Sequence, residues 1–534
     1  MLLARLVDAA ATVASRTSRS AKIEALADLL RDTAEQRIAA VTAMSSGVLP
    51  TGRIGIGPAA VRAARPKTAA ERPGLSVDDL LGGFAEIAAV SGKGAKTRRQ
   101  EVLRRLLEAA TPAEQDFVSR LLLQELRQGA LEGLMVEAIA AAFDQPGALV
   151  RRAAMLRGDL PSVASIAAVQ GRAGLESLRL EHFRPVQPML ASPVDDLESA
   201  WQRFAAGSRI QLEHKLDGAR VQVHRDGDEV RVYSRQLNDV STAVPELIEQ
   251  ARALPGQSFV LDGESFAHDG SGTALPFQVT MRRFGRRADV AAQRIELPLR
   301  TLFFDCLERD GEELLDAALG ERRRHLEELL GAEALVPILL VESEASRLEA
   351  AEDFFERALD AGLEGLMAKD RRSVYEAGSR GFSWLKIKPV HTLDLVVLAA
   401  EWGSGRRRGW LSNLHLGARD PEGGFVMLGK TFKGLTDEML AWQTRRLQQL
   451  ATQDQDPQSP WVVRVRPELV VEIAFNNVQS SSQYPGGMAL RFARVKRYRP
   501  DRGAEDATTV AEVREVFERE HRLARDAPRA RREG

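Results

Sequence analysis

The stretch LEHKLDGAR, residues 212–220, places a lysine where it could act as a nucleophile. Alternate side chains of a strand share a face, so Glu213 and Lys215 point one way and Leu212, His214 and Leu216 the other. Asp217 and Gly218 then end the strand. K-x-D-G alone says little. Roughly one chance match is expected per ten proteins of this length, and in isolation it reads as a surface lysine before a turn. A second stretch, WLKIKP, puts Lys386 and Lys388 on one strand face and Leu385 and Ile387 on the other. Two like charges so placed repel unless an anion lies between them. A polyphosphate would serve, and an edge strand exposing both to water is the plain alternative. Between the two lie LDGES with Glu264, FFD with Phe304 and EGLMAKD with Glu364, each by itself a strand end or core residue.

These groups can meet only if distant elements bring them together. Residues 1–183 read as nearly all helix. AKIEALADLLRDTAEQRIAAV and FVSRLLLQELRQGALEGLMVEAIAAAF repeat apolar residues at three- and four-residue steps. FRPVQPML, with Pro185 and Pro188, predicts a linker. From there to about residue 390 strands and helices alternate. VQVHRDGDEVRVYSR predicts a hairpin turning at Asp226-Gly227, and FVLDGESF, TLFFDCL, EGLMAKD and WLKIKP predict further strands. ERRRHLEELLG and AEDFFERALDAG predict helices, each with a following glycine to cap it. After His391 the pattern is mostly strand (LDLVVLAAEW, FVMLGKTF, ELVVEIAF), with ATQDQDPQSP as a surface loop. A last helix, VAEVREVFEREHRLA, leads into the basic tail RDAPRARREG, and no internal repeat is visible.

The chain's 534 residues imply two to four domains. Cys306 is its one cysteine, which excludes a disulfide framework and a cysteine-built zinc module and suits a reducing cytoplasm. MLLARLVDAAATVASR carries Arg5 and Asp8 at helix-like spacing and reads as a packed helix rather than a signal peptide. No apolar run approaches the ~20 residues of a membrane span, so a soluble, intracellular protein is expected. A net charge of −1 leaves the partner undecided. SGKGAKT, residues 91–97, lacks phosphate-loop spacing and reads as a flexible basic loop suited to the phosphates of a polyanion.

In combination and order the chemical segments resemble the covalent nucleotidyltransferase superfamily of ATP-dependent DNA ligases, RNA ligases and mRNA capping enzymes. KLDG matches the nucleophile motif, followed by YSR, LDGE, the adenine-stacking FFD, EGLMAKD, WLKIKP and finally RFARVKRYRPD, residues 491–501. Within the superfamily the chain looks most like the three-domain DNA ligases of archaea and eukaryotes and their bacterial counterparts. RPVQPMLA resembles the opening of their catalytic domain and VVEIAFNNVQSSSQYPGGMALRFAR their oligonucleotide-binding barrel; TSRSAKIEALADLL and LLLQELRQGALEGLM match their DNA-binding domain more loosely. The last motif usually continues Asp-Lys, whereas here it reads Asp501-Arg502, and an arginine fork is no substitute for a lysine point charge.

The resemblance implies a multidomain fold. It consists of an all-α N-terminal DNA-binding domain (1–183), an α+β nucleotidyltransferase (adenylation) domain (184–390) and a β-barrel OB-fold C-terminal domain (391–534). It implies an ATP-dependent DNA ligase that seals 5′-phosphate/3′-hydroxyl nicks in duplex DNA through an AMP on Lys215, in replication, repair or recombination. ATP and Mg2+ would be required, and nicked double-stranded DNA would be the partner. A cytoplasmic monomer (nucleoid-associated if bacterial) with no membrane attachment is expected. Free lysine has a pKa near ~10.4, so Lys215 must lose its proton, helped by burial and by Lys386, Lys388 and the metal. By resemblance Glu364 and Glu264 contact the metal, and Glu264 instead or also the ribose. Phe304 stacks on adenine, and Glu213 reads its amino edge through backbone or side chain. Arg220, Arg235 and Arg380 surround ribose and phosphate. Lys386 and Lys388 neutralise the α-phosphate, and Arg491, Arg494 and Arg497 align pyrophosphate when the barrel closes. Capping enzymes and RNA ligases share the core chemistry, but the long helical region ahead of Lys215 argues against both. The lack of a cysteine zinc finger argues against an NAD-dependent ligase, and intact Lys215, Glu364, Lys386 and Lys388 argue against a DNA-binding protein that has lost its chemistry.

Overall fold

A computed structural model describes the chain except residues 53, 127–130, 206, 270–271, 273, 276, 286–289, 343–347, 378–380, 390, 457 and 526–534. Arg380 and the basic tail beyond Arg525 therefore lie outside the described residues. Between Leu3 and Glu176 the described elements are helices. Their starts are written locally. Ser76 and Asp79 form a capping box ahead of Val77–Ala89, and Thr111 and Glu114, with Pro112 in the first turn, do the same for Pro112–Leu122. Leucines at helical spacing (Leu26, Leu29, Leu30; Leu103, Leu106, Leu107) enter one core. That core continues through Val186 and Met189 to Leu307, Leu315, Tyr375 and Trp384, so the helical region is packed on the region holding the lysines. Arg152 bridges the two regions, pairing with Glu313 and Asp316 at 2.7 Å each.

The prolines of FRPVQPML do break regular structure, but the segment is docked rather than loose. The Phe183 N–H donates to His224 Nδ1 (3.1 Å), the Val186 N–H to Gln222 Oε1 (2.8 Å) and the Met189 N–H to the Tyr375 hydroxyl (3.1 Å). Beyond it the strands are β1 (Ser192–Val194), β2 (Arg209–Lys215), β3 (Ala219–Asp226), β4 (Glu229–Ser234), β5 (Ser258–Ala267), β6 (Leu299–Arg309), β7 (Glu312–Glu313), β8 (Ile338–Glu342), β9 (Gly365–Asp370) and β10 (Trp384–Ile387). They form two five-stranded sheets, ordered β1-β10-β9-β2-β8 and β4-β3-β5-β6-β7. Two local expectations need correction. Asp226 pairs with Glu229, so the hairpin turns on Gly227-Asp228, with Gly227 supplying φ +57°. Helix Leu319–Leu329 runs into extended Leu330, and Gly331 has φ −68°, so no glycine caps it. Gly362, at φ +74°, does follow helix Leu348–Asp360 as a left-handed glycine.

The C-terminal region is β-rich. Its strands are β11 (His391–Trp402), β12 (Leu411–Arg419), β13 (Phe425–Thr431), β14 (Val462–Arg464), β15 (Val470–Phe475), β16 (Asn477–Ser480), β17 (Met488–Arg491) and β18 (Arg494–Tyr498). β13-β12-β11-β15-β18 run in order with β14 beside β11, and β16 pairs with β17. Helix Asp437–Gln449 covers their apolar side with Leu440 and Leu447, and helix Val510–Arg525, with Val513 buried, is the last described element.

Candidate active site

Strand register puts the chemical residues on one sheet face. Across β2, β9 and β10 the rows read Gln211–Lys369–Trp384 and Glu213–Met367–Lys386, and in the next row Lys215 lies opposite Gly365. Residues paired across strands share a face, so Lys215, Glu213, Lys369, Trp384 and Lys386 all project from the same side. The second sheet answers with Arg220 opposite Glu264, and with Asp262 one row further on. Phe304 of β6 meets Trp384 edge to face at 6.1 Å, joining the two sheets beside the site.

Two glycines of the motifs are fixed by close approach. A Cβ on Gly218 would lie 2.5 Å from the Ser265 carbonyl oxygen, and one on Gly365 would lie 2.3 Å from that of Ile387, where φ is also +135°. Only glycine admits both arrangements. Each draws the start or end of a strand against its neighbour, the first beside Lys215 and the second beside Lys388.

Lys215 ends β2 with its ammonium against the Glu364 carboxylate, and the same carboxylate holds the Lys388 ammonium. Burial pushes Lys215 below its ordinary range; Glu264 and Asp217 oppose this, while Arg235 and Arg220 add to it. Burial likewise brings Lys388 down to about 8, helped by the charges of Lys215 and Arg491. Glu264 is pushed up to about 7 by burial, although Lys215 and Arg220 pull it down. It is a partly buried carboxyl whose ionised form an arriving cation would favour. Among the described residues no three His, Cys, Asp or Glu cluster as a metal site. Magnesium needs no such cage, because it binds through one or two carboxylates and completes its shell with phosphate oxygens and water. Glu264 and Glu364 fit that requirement.

The other expected residues divide by position. Glu213 is buried, its carboxylate meeting Lys369 (2.6 Å) and Gln211 Nε2 (2.7 Å). Lys386 is half-buried on the shared face, opposite Met367 and Pro193. Arg220 is engaged by Asp262 (2.6 Å), the Met189 carbonyl (2.6 Å) and the Tyr375 hydroxyl (3.1 Å), and Tyr375 itself donates to Asp262 (2.6 Å). Arg235 is exposed in the turn after β4, close enough for its charge to act on Lys215. From the C-terminal region, Arg491 acts on Lys388, and Arg494 with Lys496 meets Asp195 at 3.3 and 3.1 Å. Arg497 pairs instead with Glu472 on its own sheet (2.6 Å), and Arg502 with Asp394 (2.7 Å). Sequence reasoning missed Lys369, Asp262, Tyr375 and Asp195. The signal for Lys369 was its alternation with Gly365 and Met367; nothing local marked its partner.

Models of three families match the chain: the ATP dependent DNA ligase domain over residues 188–388, the ATP dependent DNA ligase C terminal region over 407–502 and the DNA ligase N terminus over 58–140. A probable DNA ligase of Anaeromyxobacter sp. (strain Fw109-5) is 54% identical over 522 residues, 97% of this chain and 99% of the relative. One of Mycolicibacterium gilvum (strain PYR-GCK) is 51% identical over 523 residues, 97% of this chain and 100% of the relative. The solved structure of Pmar-Lig_PreS3 has a similar fold (TM-score 0.58) at 18% identity, over 92% of this chain and 99% of its own.

Proposed function

The chain belongs to the ATP-dependent DNA ligases, and from that premise we propose that it seals nicks in duplex DNA through AMP carried on Lys215. The observation that carries this is the nucleophile itself: a half-buried lysine at a strand end, lowered in pKa and packed against Glu364 beside Lys388. Deprotonated Nζ attacks the α-phosphorus of ATP, an N–P bond forms, and the P–O bond to pyrophosphate breaks. Lys388 and Lys386 stabilise negative charge building on the α-phosphate oxygens. Arg491 and Arg494 neutralise the leaving pyrophosphate; Arg497 joins them only if it leaves Glu472. A 5′-phosphate oxygen of the nick then takes the AMP from Nζ, and the 3′-hydroxyl displaces AMP to leave a phosphodiester.

Bound magnesium would supply charge neutralisation at the phosphates, held by Glu364 and Glu264. Phe304 stacks on the adenine, and Arg235 and Arg380 lie toward ribose and phosphate. Arg220, fixed by Asp262, shapes the pocket wall. The helical domain (1–183) grips duplex phosphates, the exposed basic segment 91–97 included, although from Ala95 on that segment is the first turn of helix Ala95–Glu108 rather than loop. The adenylation domain (184–390) holds the nucleotide, and the OB-fold domain (391–534) closes over it. No described helix is long and apolar enough to cross a membrane. A cytoplasmic monomer acting in replication, repair or recombination accords with this reading. The test is conversion of an end-labelled nicked duplex to full-length strand by the purified chain with ATP and magnesium. Sealing should stop with Lys215→Ala or a chelator, and an unsealed duplex with the wild-type chain would overturn the proposal.

A further inference from the structure

One ammonium group touches Glu213 and Phe304, the two side chains that the family resemblance assigns to the base. Lys369 is buried, with 1% of its side chain exposed, and its Nζ lies 2.6 Å from the Glu213 carboxylate, which is 2% exposed. The same Nζ stands 3.9 Å from the centre of the Trp384 ring and 4.5 Å from that of Phe304. Trp384 and Phe304 in turn meet edge to face. In the sheet, Lys369 is one row beyond Glu213 and two beyond Lys215, on the face that carries the nucleophile.

A charge is expensive to bury, and a buried ion pair is often no more stabilising than apolar residues of the same volume. Methionine would fill this space. What an ammonium adds is direction. It fixes one carboxylate in place and attracts two aromatic faces.

Resting on the reading of Lys215 as the site of adenylylation, we infer that Lys369 is the positioning residue of the base pocket. It holds Glu213 as a hydrogen-bond acceptor and Phe304 as a stacking surface, and so sets the preference for ATP over GTP. An ionised carboxylate only accepts hydrogen bonds. The amino group at C6 of adenine donates to it, whereas the carbonyl at that position of guanine presents oxygen to oxygen.

The experiment measures covalent nucleotide formation on the full chain with α-labelled ATP and α-labelled GTP over a range of concentrations. Lys369→Met should lower the ATP:GTP preference by about tenfold or more, carried mainly by KM for ATP, because the polar recognition loses its fixed partner. Lys369→Arg should restore most of the preference. Should Lys369→Met unfold by leaving the buried Glu213 carboxylate without a counter-charge, the double variant Lys369→Met/Glu213→Leu removes both charges together and should fold while discriminating poorly. A folded variant without charge at 369 that labels more slowly with both nucleotides, yet keeps the wild-type preference, would reduce Lys369 to a packing role and overturn the inference. Absence of covalent nucleotide on the wild-type chain would instead defeat the proposed function, and this inference with it.

Discussion

Lys215 and Lys388 share one carboxylate, and the charge of Lys215 makes Lys388 harder to keep protonated. In the proposed reaction an arriving triphosphate would reverse that balance, because its negative oxygens would give Lys388 a partner while Lys215 spends its lone pair on phosphorus. Lys388→Met should therefore slow formation of the lysyl-AMP by about a hundredfold. The melting temperature should move little, since the Lys388 side chain is 30% exposed. Single-turnover labelling beside a thermal melt separates the two effects. Lys215, Lys386 and Lys388 were legible in the sequence because alternation along a strand declares which side chains share a face, whereas Glu364 stood out only through its resemblance to a family motif. The Lys369–Glu213 pair was not, because it joins strands that local sequence does not show to be neighbours. Arg220 was read as a ligand group; its engagement by Asp262 and Tyr375 depends on strand register and on a loop far along the chain.

Among the elements, the docked segment after the helical region carries a pH dependence. His224 is buried on β3 and accepts the Phe183 N–H at Nδ1, so its proton sits on Nε2, which donates to Gln222 Oε1 at 2.9 Å. Burial, with the nearby His182 charge, lowers its pKa to about 3. The unfolded chain takes up this proton near pH 6.5 and the folded chain does not, so stability falls as pH drops from about 6.5 toward 3. Between pH 7 and pH 5 this one group should remove about 2 kcal/mol. Denaturant unfolding at the two pH values should show that loss in the wild type and a smaller one in His224→Gln. An equal loss in both would place the sensitivity elsewhere. Most strands and helices were readable from periodicity and caps. The docking of FRPVQPML was not: two prolines announce irregular backbone, but the groups that bind it are Gln222, His224 and Tyr375, all downstream.

For the whole molecule, function depends on how the C-terminal region sits. Asp195, between β1 and helix Leu197–Trp201, receives Arg494 and Lys496 across the boundary, and Arg491 lies near enough to act on Lys388. The structure thus has the C-terminal region set against β1 and close to Lys388. Exposed ion pairs contribute little each, so Asp195→Ala should slow self-adenylylation by only about threefold. Sealing of pre-adenylylated nicked DNA should be unchanged, because that step follows movement of the region away. Equal slowing of both steps would contradict a role in closure. The three-part organisation was visible as a change from helical to mixed to strand-rich patterning, whereas the contacts across the boundaries, Arg152 with Glu313 and Asp195 with Arg494, follow only from the assembled fold.

In the proposed reaction AMP passes through Lys215 on its way to DNA. The most direct measurement supplies the purified chain with magnesium and ATP labelled at the α-phosphate, removes free nucleotide, and then adds nicked duplex DNA. Acid-stable label should form on the wild-type chain and not on Lys215→Ala, and should leave the protein as the nick closes. Label discharged only by a nicked RNA, or no label on a chain that still binds DNA, would contradict the account.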